Sequence, residues 1–332
     1  MHVPEGFRDA GPTLRALAAA RGLRIGAAVN VQALRDDADY RAVLAAEFNA
    51  VTAENAMKFA PFQPERGIFR FDDADELVSF AEAHGMTVRG HTLAWHETLP
   101  SWLTEADHTP GELLDILHTH IQTVVDHFRG RVFAWDVVNE AVAEDGSYRD
   151  TFWHRHAGPR FVDLAFQWAR EADPDARLFY NDFQGEGSGH RAKTIYRFVK
   201  RLRARGVPID GVGLQMHLRA DRPPNRRHIV RAVKRFASLG LETHITELDV
   251  RVPVPADWLV LDRQASVYGD VFSAATASPG CTNVVLWGFT DRYSWIPHRF
   301  EDWGAALPFD DSYRPKPAYA AIATELGKRN SQ

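Results

Sequence analysis

The 332-residue chain has a single cysteine, Cys281. A lone cysteine excludes any intrachain disulfide, so no covalent staple stands in for a core. No apolar run approaches the roughly 20 residues of a membrane-spanning helix. The opening stretch, MHVPEGFRDAGP, lacks the apolar segment of a secretory leader. Together these absences slightly favour a cytoplasmic protein, with a secreted protein whose leader was removed as the alternative. Excess charge of one sign is missing too. The 39 basic and 44 acidic residues leave a net charge of −5, which gives no general attraction to nucleic acid or anionic membrane. Neither is expected as a partner. No Gly/Ser-rich linker, low-complexity tract or short repeat divides the chain, so residues 1–332 are expected to form one domain. No G-x-G-x-x-G follows the first apolar run, which argues against a dinucleotide-binding open sheet.

What is present is a rhythm. Short apolar, β-branched runs recur at 24–30, 48–55, 86–92, 131–140, 177–182, 211–217, 241–249 and 283–289. Their ends lie roughly 37 residues apart, room for a strand, a helix and two loops. Helical signals fill the gaps. Thr109-Pro110-Gly111-Glu112 reads as a capping box with proline at the first helical position. In 72–84, Asp72 is expected to cap, Leu77, Phe80 and Ala81 share a face, and Gly85 ends the helix. Ile195, Phe198, Val199 and Leu202 repeat the pattern, and the basic run from Arg219 to Arg235 reads as a solvated loop and helix face. Eight β/α units imply an α/β fold, a single (β/α)8 TIM barrel.

Barrels of this kind carry their sites at the C-terminal ends of the strands. Those ends deliver Asn30; Glu54, Asn55 and Lys58; His91, Trp95 and His96; Asn139 and Glu140; Asn181 and Asp182; Gln215 and His217; Glu247 and Asp249; Trp287, Asp291, Arg292 and Trp295. Any one is an ordinary strand terminus. As a set they bring two carboxylates, neutral hydrogen-bonding groups and flat aromatics to one rim. That mix suits a sugar, with hydroxyls on its edge and apolar ring faces. A glycosidic bond is commonly broken by one carboxylic acid and one carboxylate. A charge at the end of the apolar run FAWDVVNEA is then explained, because an acid catalyst must be held rigidly in partly dry surroundings that raise its pKa.

The motifs Glu54-Asn55-x-x-Lys58, RGHTLAWH (89–96), WDVVNEA (135–141), GLQMH (213–217), ITELD (245–249) and WGFTD (287–291) with Ser294-Trp295 resemble glycoside hydrolase family 10. These are retaining endo-β-1,4-xylanases, and the resemblance runs from about Arg24 to Leu326. It implies an endo-1,4-β-xylanase hydrolysing xylan or xylo-oligosaccharides by double displacement with two glutamates, monomeric, with no cofactor and no metal. Glu140 would be the acid/base and Glu247 the nucleophile. Asn139 would bind the sugar 2-hydroxyl. His217 would contact Glu247 and be held by Asp249. His91, Trp95, Gln215, Trp287 and Trp295 would line the subsite where the bond breaks, and Glu54, Asn55 and Lys58 the next one toward the non-reducing end. Asp136 and Asp182 would be supporting carboxylates. A cis His91-Thr92 peptide is also implied.

Two features depart from the pattern. Glu97-Thr98 stands where Ser-Gln is frequent, so the second glycone sugar loses a long amide, and Cys281 lacks the partner it has in many relatives. Three rival readings stand beside this resemblance: a metal-dependent hydrolase using His91, His96, His217, His244 and Glu247; an inactive sugar-binding barrel; and an exo-acting or aryl-glycoside-preferring enzyme of the same family.

Overall fold

A computed structural model describes residues 11–328. The first ten residues of the N-terminal stretch read above, and the last four of the expected domain, lie outside them. Eight parallel strands close on themselves: β1 Arg24–Val29, β2 Ala50–Ala53, β3 Thr87–Ala94, β4 Val132–Asn139, β5 Arg177–Asp182, β6 Gly211–Leu214, β7 Glu242–Pro253 and β8 Cys281–Leu286. Each pairs with the next, and β8 returns to β1 through Arg24↔Asn283 to Ala27↔Leu286. The strands are almost wholly buried, β1 at Ile25–Val29 and β6 throughout. Such runs lack polar alternation because helices cover their outer faces. Among the described residues, no helix is long and apolar enough to cross a membrane.

The strands fall where the sequence pattern places them, with instructive differences at the ends. β4 stops at Asn139 because Glu140 has φ +56°, and β6 stops at Leu214 because Met216 has φ +60°. A left-handed residue cannot continue a ladder. Pairing resumes at His217–Arg219, against Asp249–Arg251. β7 outruns its expected end because this short strand and Trp303–Gly304 both pair with its extension. The His91-Thr92 peptide is cis.

The helix Pro110–His127 carries the full capping box on Thr109 and Glu112. The helix Asp72–Ala83 corrects one expectation. Its N-cap is Phe71, which makes no side-chain cap, and Asp72 is the first helical residue. Phe71 stacks on His127 at 3.8 Å, and that packing draws the helix start back by one residue. Asp72, Asp73 and Asp75 then sit in the first turn, where negative charge complements the helix dipole. In the basic segment, the helix Arg226–Ala237 buries Ile229, Ala232, Val233 and Phe236 and leaves Arg227 and Arg231 in solvent, with Arg226 and Arg235 half-buried.

At the floor of the barrel, Arg89 is fully buried on Asp136 and lies 2.7 Å from His244 Nδ1. Its guanidinium covers the Phe179 ring at 4.5 Å, and His244 stacks on the same ring at 4.1 Å. The barrel interior is therefore plugged by side chains at its floor, and a cleft opens where the strands finish.

Candidate active site

At that open end lies a cleft of about 690 Å³. Glu140 and Glu247 line it, with Glu54, Asn55, Lys58, His91, Trp95, Asn139, Gln215, His217, Trp287 and Trp295. Side chains from six separate strand ends thus converge. Asp136, Asp182 and Asp249 do not line the cleft; they lie behind it, each no more than 1 % exposed.

Glu247 stands on β7. Its Oε1 accepts from Asn181 Nδ2 at 2.6 Å and its Oε2 lies 3.0 Å from His217 Nε2. The other ring nitrogen of His217 is 2.8 Å from Asp249 Oδ2, which also accepts the Trp295 indole N–H at 2.8 Å. Burial disfavours charge on His217, but the charge and hydrogen bond of Asp249, then those of Glu247, push its pKa up to about 10. The ring is therefore an imidazolium at neutral pH. Burial likewise works against the Glu247 carboxylate, yet the hydrogen bond from His217 leaves its pKa below the ordinary value. Below Glu247, His91 lies 4.0 Å from Oε1 and 3.0 Å from Asp136 Oδ2, and Asp136 in turn pairs with Arg89.

Asn181 reaches Glu247 only because Gly213 on β6 faces it. A Cβ there would fall 2.1 Å from Asn181 Oδ1 and 2.9 Å from Thr246 Cγ2. Thr246 donates to Asn181 Oδ1 at 2.7 Å, so the amide nitrogen is turned to the carboxylate.

Glu140 leaves β4 in a left-handed backbone conformation that a non-glycine residue adopts only under constraint. Two bonds impose it: the Glu140 N–H donates to the Asn181 carbonyl at 2.9 Å, and the Ala141 N–H donates to the Tyr180 hydroxyl at 3.0 Å. Tyr180 donates to Asp182 at 2.5 Å, and Arg191 fixes Asp182 at 2.6 Å. Asp182, a carboxyl that burial pushes up to about 6 despite Arg191, supports the turn rather than the substrate. The turn swings the Glu140 side chain over the cleft. Its Oε1 accepts from Gln215 Nε2 at 3.0 Å and its Oε2 from Arg149 Nη1 at 2.7 Å. The Asn139 carboxamide sits among Asn181 Nδ2 (3.0 Å), Gln215 Nε2 (3.2 Å) and Trp95 Nε1 (3.2 Å). Asn139, Asn181 and Gln215 thus tie the two glutamates into one network.

Lys58 donates to Asn55 at 2.8 Å and lies over the Trp95 ring at 5.1 Å. Trp287 meets the rings of His91 and His217 edge-on at 5.2 and 6.2 Å. Thr98 lines the cleft with φ +55°, its carbonyl taking the Ala60 N–H at 3.0 Å. The five residues of the metal reading do not converge. His244 lies on the floor and His96 beside Arg149, and among the described residues no three His, Cys, Asp or Glu are grouped to hold an ion.

Sequence reading missed Arg149, Tyr180, Arg191, Thr246 and Gly213. Tyr180, Thr246 and Gly213 act on partners distant in sequence, Ala141 and Asn181; Arg149 and Arg191 each stand nine residues past the carboxylate they hold, a spacing that carries no motif signal.

The glycosyl hydrolase family 10 model matches residues 13–325. Endo-1,4-β-xylanase B of Thermotoga neapolitana is 45% identical over 312 residues, covering 93% of this chain and 90% of that one. The crystal structure of native xylanase 10B from Thermotoga maritima superposes with a TM-score of 0.92 at 44% identity, covering 95% of this chain and 98% of that one. Xylanase 10B from Thermotoga petrophila RKU-1, solved in complex with xylobiose, gives 0.92 at 43% identity, with 96% and 98% covered. A match of this extent, in the family model and in barrel geometry alike, places the chain in glycosyl hydrolase family 10.

Proposed function

We propose that the protein is an endo-1,4-β-xylanase that hydrolyses xylan or xylo-oligosaccharides with retention. Residues 1–332 serve as one catalytic unit, Glu247 as nucleophile and Glu140 as acid/base. The observation that carries this reading is the asymmetry of the two carboxyls. Glu247 is buried against an imidazolium and an amide donor, both of which stabilise its anion. Glu140 sits at the rim on a constrained turn, its oxygens addressed by Gln215 and Arg149.

In the first step, Glu247 attacks the anomeric carbon, the bond to the leaving oxygen breaks, and Glu140 gives that oxygen its proton. A glycosyl ester on Glu247 results. In the second step Glu140, now ionised, takes a proton from water as the water oxygen displaces Glu247 from the anomeric carbon. Two inversions give net retention. Asn139 binds the 2-hydroxyl in this scheme, where hydrogen bonds tighten in the transition state. Trp287 and Trp295 supply apolar walls, and Glu54, Asn55 and Lys58 address the hydroxyls of the next sugar. NMR of the first product from a linear xylo-oligosaccharide tests the whole scheme. The β-anomer should appear first, and an α-anomer would mean single displacement.

Arg149 extends the acid/base to a pair. Arg149→Ala should lower kcat/KM on xylo-oligosaccharides by about 10- to 100-fold, since a misplaced catalytic group costs that much. Arg149→Lys should recover part of the loss. An alanine variant as active as the wild type would remove Arg149 from the scheme.

The His217 imidazolium also makes stability depend on pH. Its pKa rises from 6.5 to about 10 on folding, so folding favours the protonated ring. The contribution is complete below pH 6.5 and drains away as the pH climbs through about 10. The gap in Tm between the wild type and His217→Gln should therefore narrow steadily over that interval. A gap of constant size across the titration would contradict the assignment.

A further inference from the structure

The cleft is electrically uneven. Around Lys58 stand Glu54, Glu97, Glu140 and Glu247, and all four act on its ammonium group. Elsewhere the same cleft is lined by Arg251, Arg299 and Phe300. Among the described residues, neither arginine has an ion-pair or hydrogen-bonding side chain as partner. This sets them apart from Arg89, Arg149 and Arg191, which sit on Asp136, Glu140 and Asp182.

Arg251 is nonetheless held firmly. Its guanidinium lies 4.2 Å over the Phe300 ring and 5.7 Å over Trp303. Trp303 is also covered by Arg219 at 4.4 Å, and Arg219 is fixed by two bonds to Asp221, of 2.9 and 2.6 Å. Phe300 meets Trp295 edge-on at 5.6 Å, and Trp295 meets His217 at 5.0 Å. Arg251 is thus one aromatic layer out from the reacting centre. It lies on β7 two residues beyond Asp249, and about 13 Å along the strand from Glu247. Stacking occupies the faces of a guanidinium and leaves its edge, with the N–H fork, free. Such an edge matches a carboxylate better than any neutral hydroxyl. An unsubstituted xylan backbone offers only neutral hydroxyls and no carboxylate.

We propose that Arg251 and Arg299 form a binding site for the carboxylate of a uronic-acid substituent on the xylan chain. The side group lodges past Trp295, and the Glu54–Glu97 end repels it. This deepens the xylanase reading and rests on it.

The test uses the intact enzyme and three xylo-oligosaccharides of equal backbone length. One is linear, one bears a single glucuronosyl group at each internal position in turn, and one is the carboxyl-reduced, uncharged counterpart of the second. For the best positional isomer, wild-type kcat/KM should favour the acidic substrate over its reduced counterpart by about tenfold, the range of a charge-assisted hydrogen bond. Arg299→Gln, at an exposed position, should cut that ratio at least about threefold, and adding Arg251→Gln should bring it to about one. A wild-type ratio near one overturns the proposal, as does a ratio that Arg299→Gln leaves unmoved. Failure of the underlying xylanase reading would appear separately, as no cleavage of the linear chain.

Discussion

Replacing Glu247 with alanine is expected to lower kcat by about 10⁵-fold or more on every β-xyloside, because no glycosyl-enzyme can form. Leaving-group quality should not soften the loss. An aryl xyloside that departs easily still needs a nucleophile on the opposite face of the sugar. Glu247→Gln should be equally inactive, and it separates chemistry from packing, since it keeps the volume beside His217 and Asn181. Added azide gives a sharper readout. In Glu247→Ala the small anion fits where the carboxylate stood, and one displacement yields the α-glycosyl azide. Recovery of the β-azide from this variant would assign the nucleophile to another residue.

Glu140→Ala should behave differently, and the contrast is the second large effect. With xylan, whose leaving sugar hydroxyl needs a proton, the loss should reach about 10²- to 10⁴-fold. With an activated aryl xyloside the first step should proceed at close to the wild-type rate, and the second should stall for want of a base. A burst of phenol followed by a slow steady state is the expected trace. Azide, which needs no deprotonation, should release the enzyme and give the β-glycosyl azide. Equal first-step losses on xylan and on the activated substrate would show that Glu140 is not the proton donor.

The eight strands were legible because a parallel strand buried on both faces is a continuous apolar run, and a helix between two such runs has its own period. The strand ends carried the chemistry in plain view, from Glu54-Asn55 through Ser294-Trp295. The conformations at those ends were hidden. Nothing in the letters of positions 140 and 216 announces a left-handed backbone; for Glu140, the Asn181 carbonyl and the Tyr180 hydroxyl impose it. Gly213 reads as a weak strand residue until Asn181 is seen to occupy its missing Cβ. Asp72 shows the opposite failure, a local capping preference overruled by the packing of Phe71 on His127. Local chemistry was readable, and what depended on a partner across the barrel was not.

From the barrel floor to its mouth, Arg89, Asp136, His91, Glu247, His217 and Asp249 form one row in which carboxylates alternate with nitrogen bases. This row constrains how the protein can change over evolutionary time. Loss of Arg89 or Asp136 strands its neighbour's charge in the buried floor, at about 3–5 kcal/mol for a broken buried pair. Single replacements at Arg89 or Asp136 therefore pass through a poorly viable ancestor, although neither residue lines the cleft. Lineages can cross that valley only by exchanging neighbours together. A library built one position at a time will record the barrel floor as immutable, whereas a library of paired replacements will find variants there.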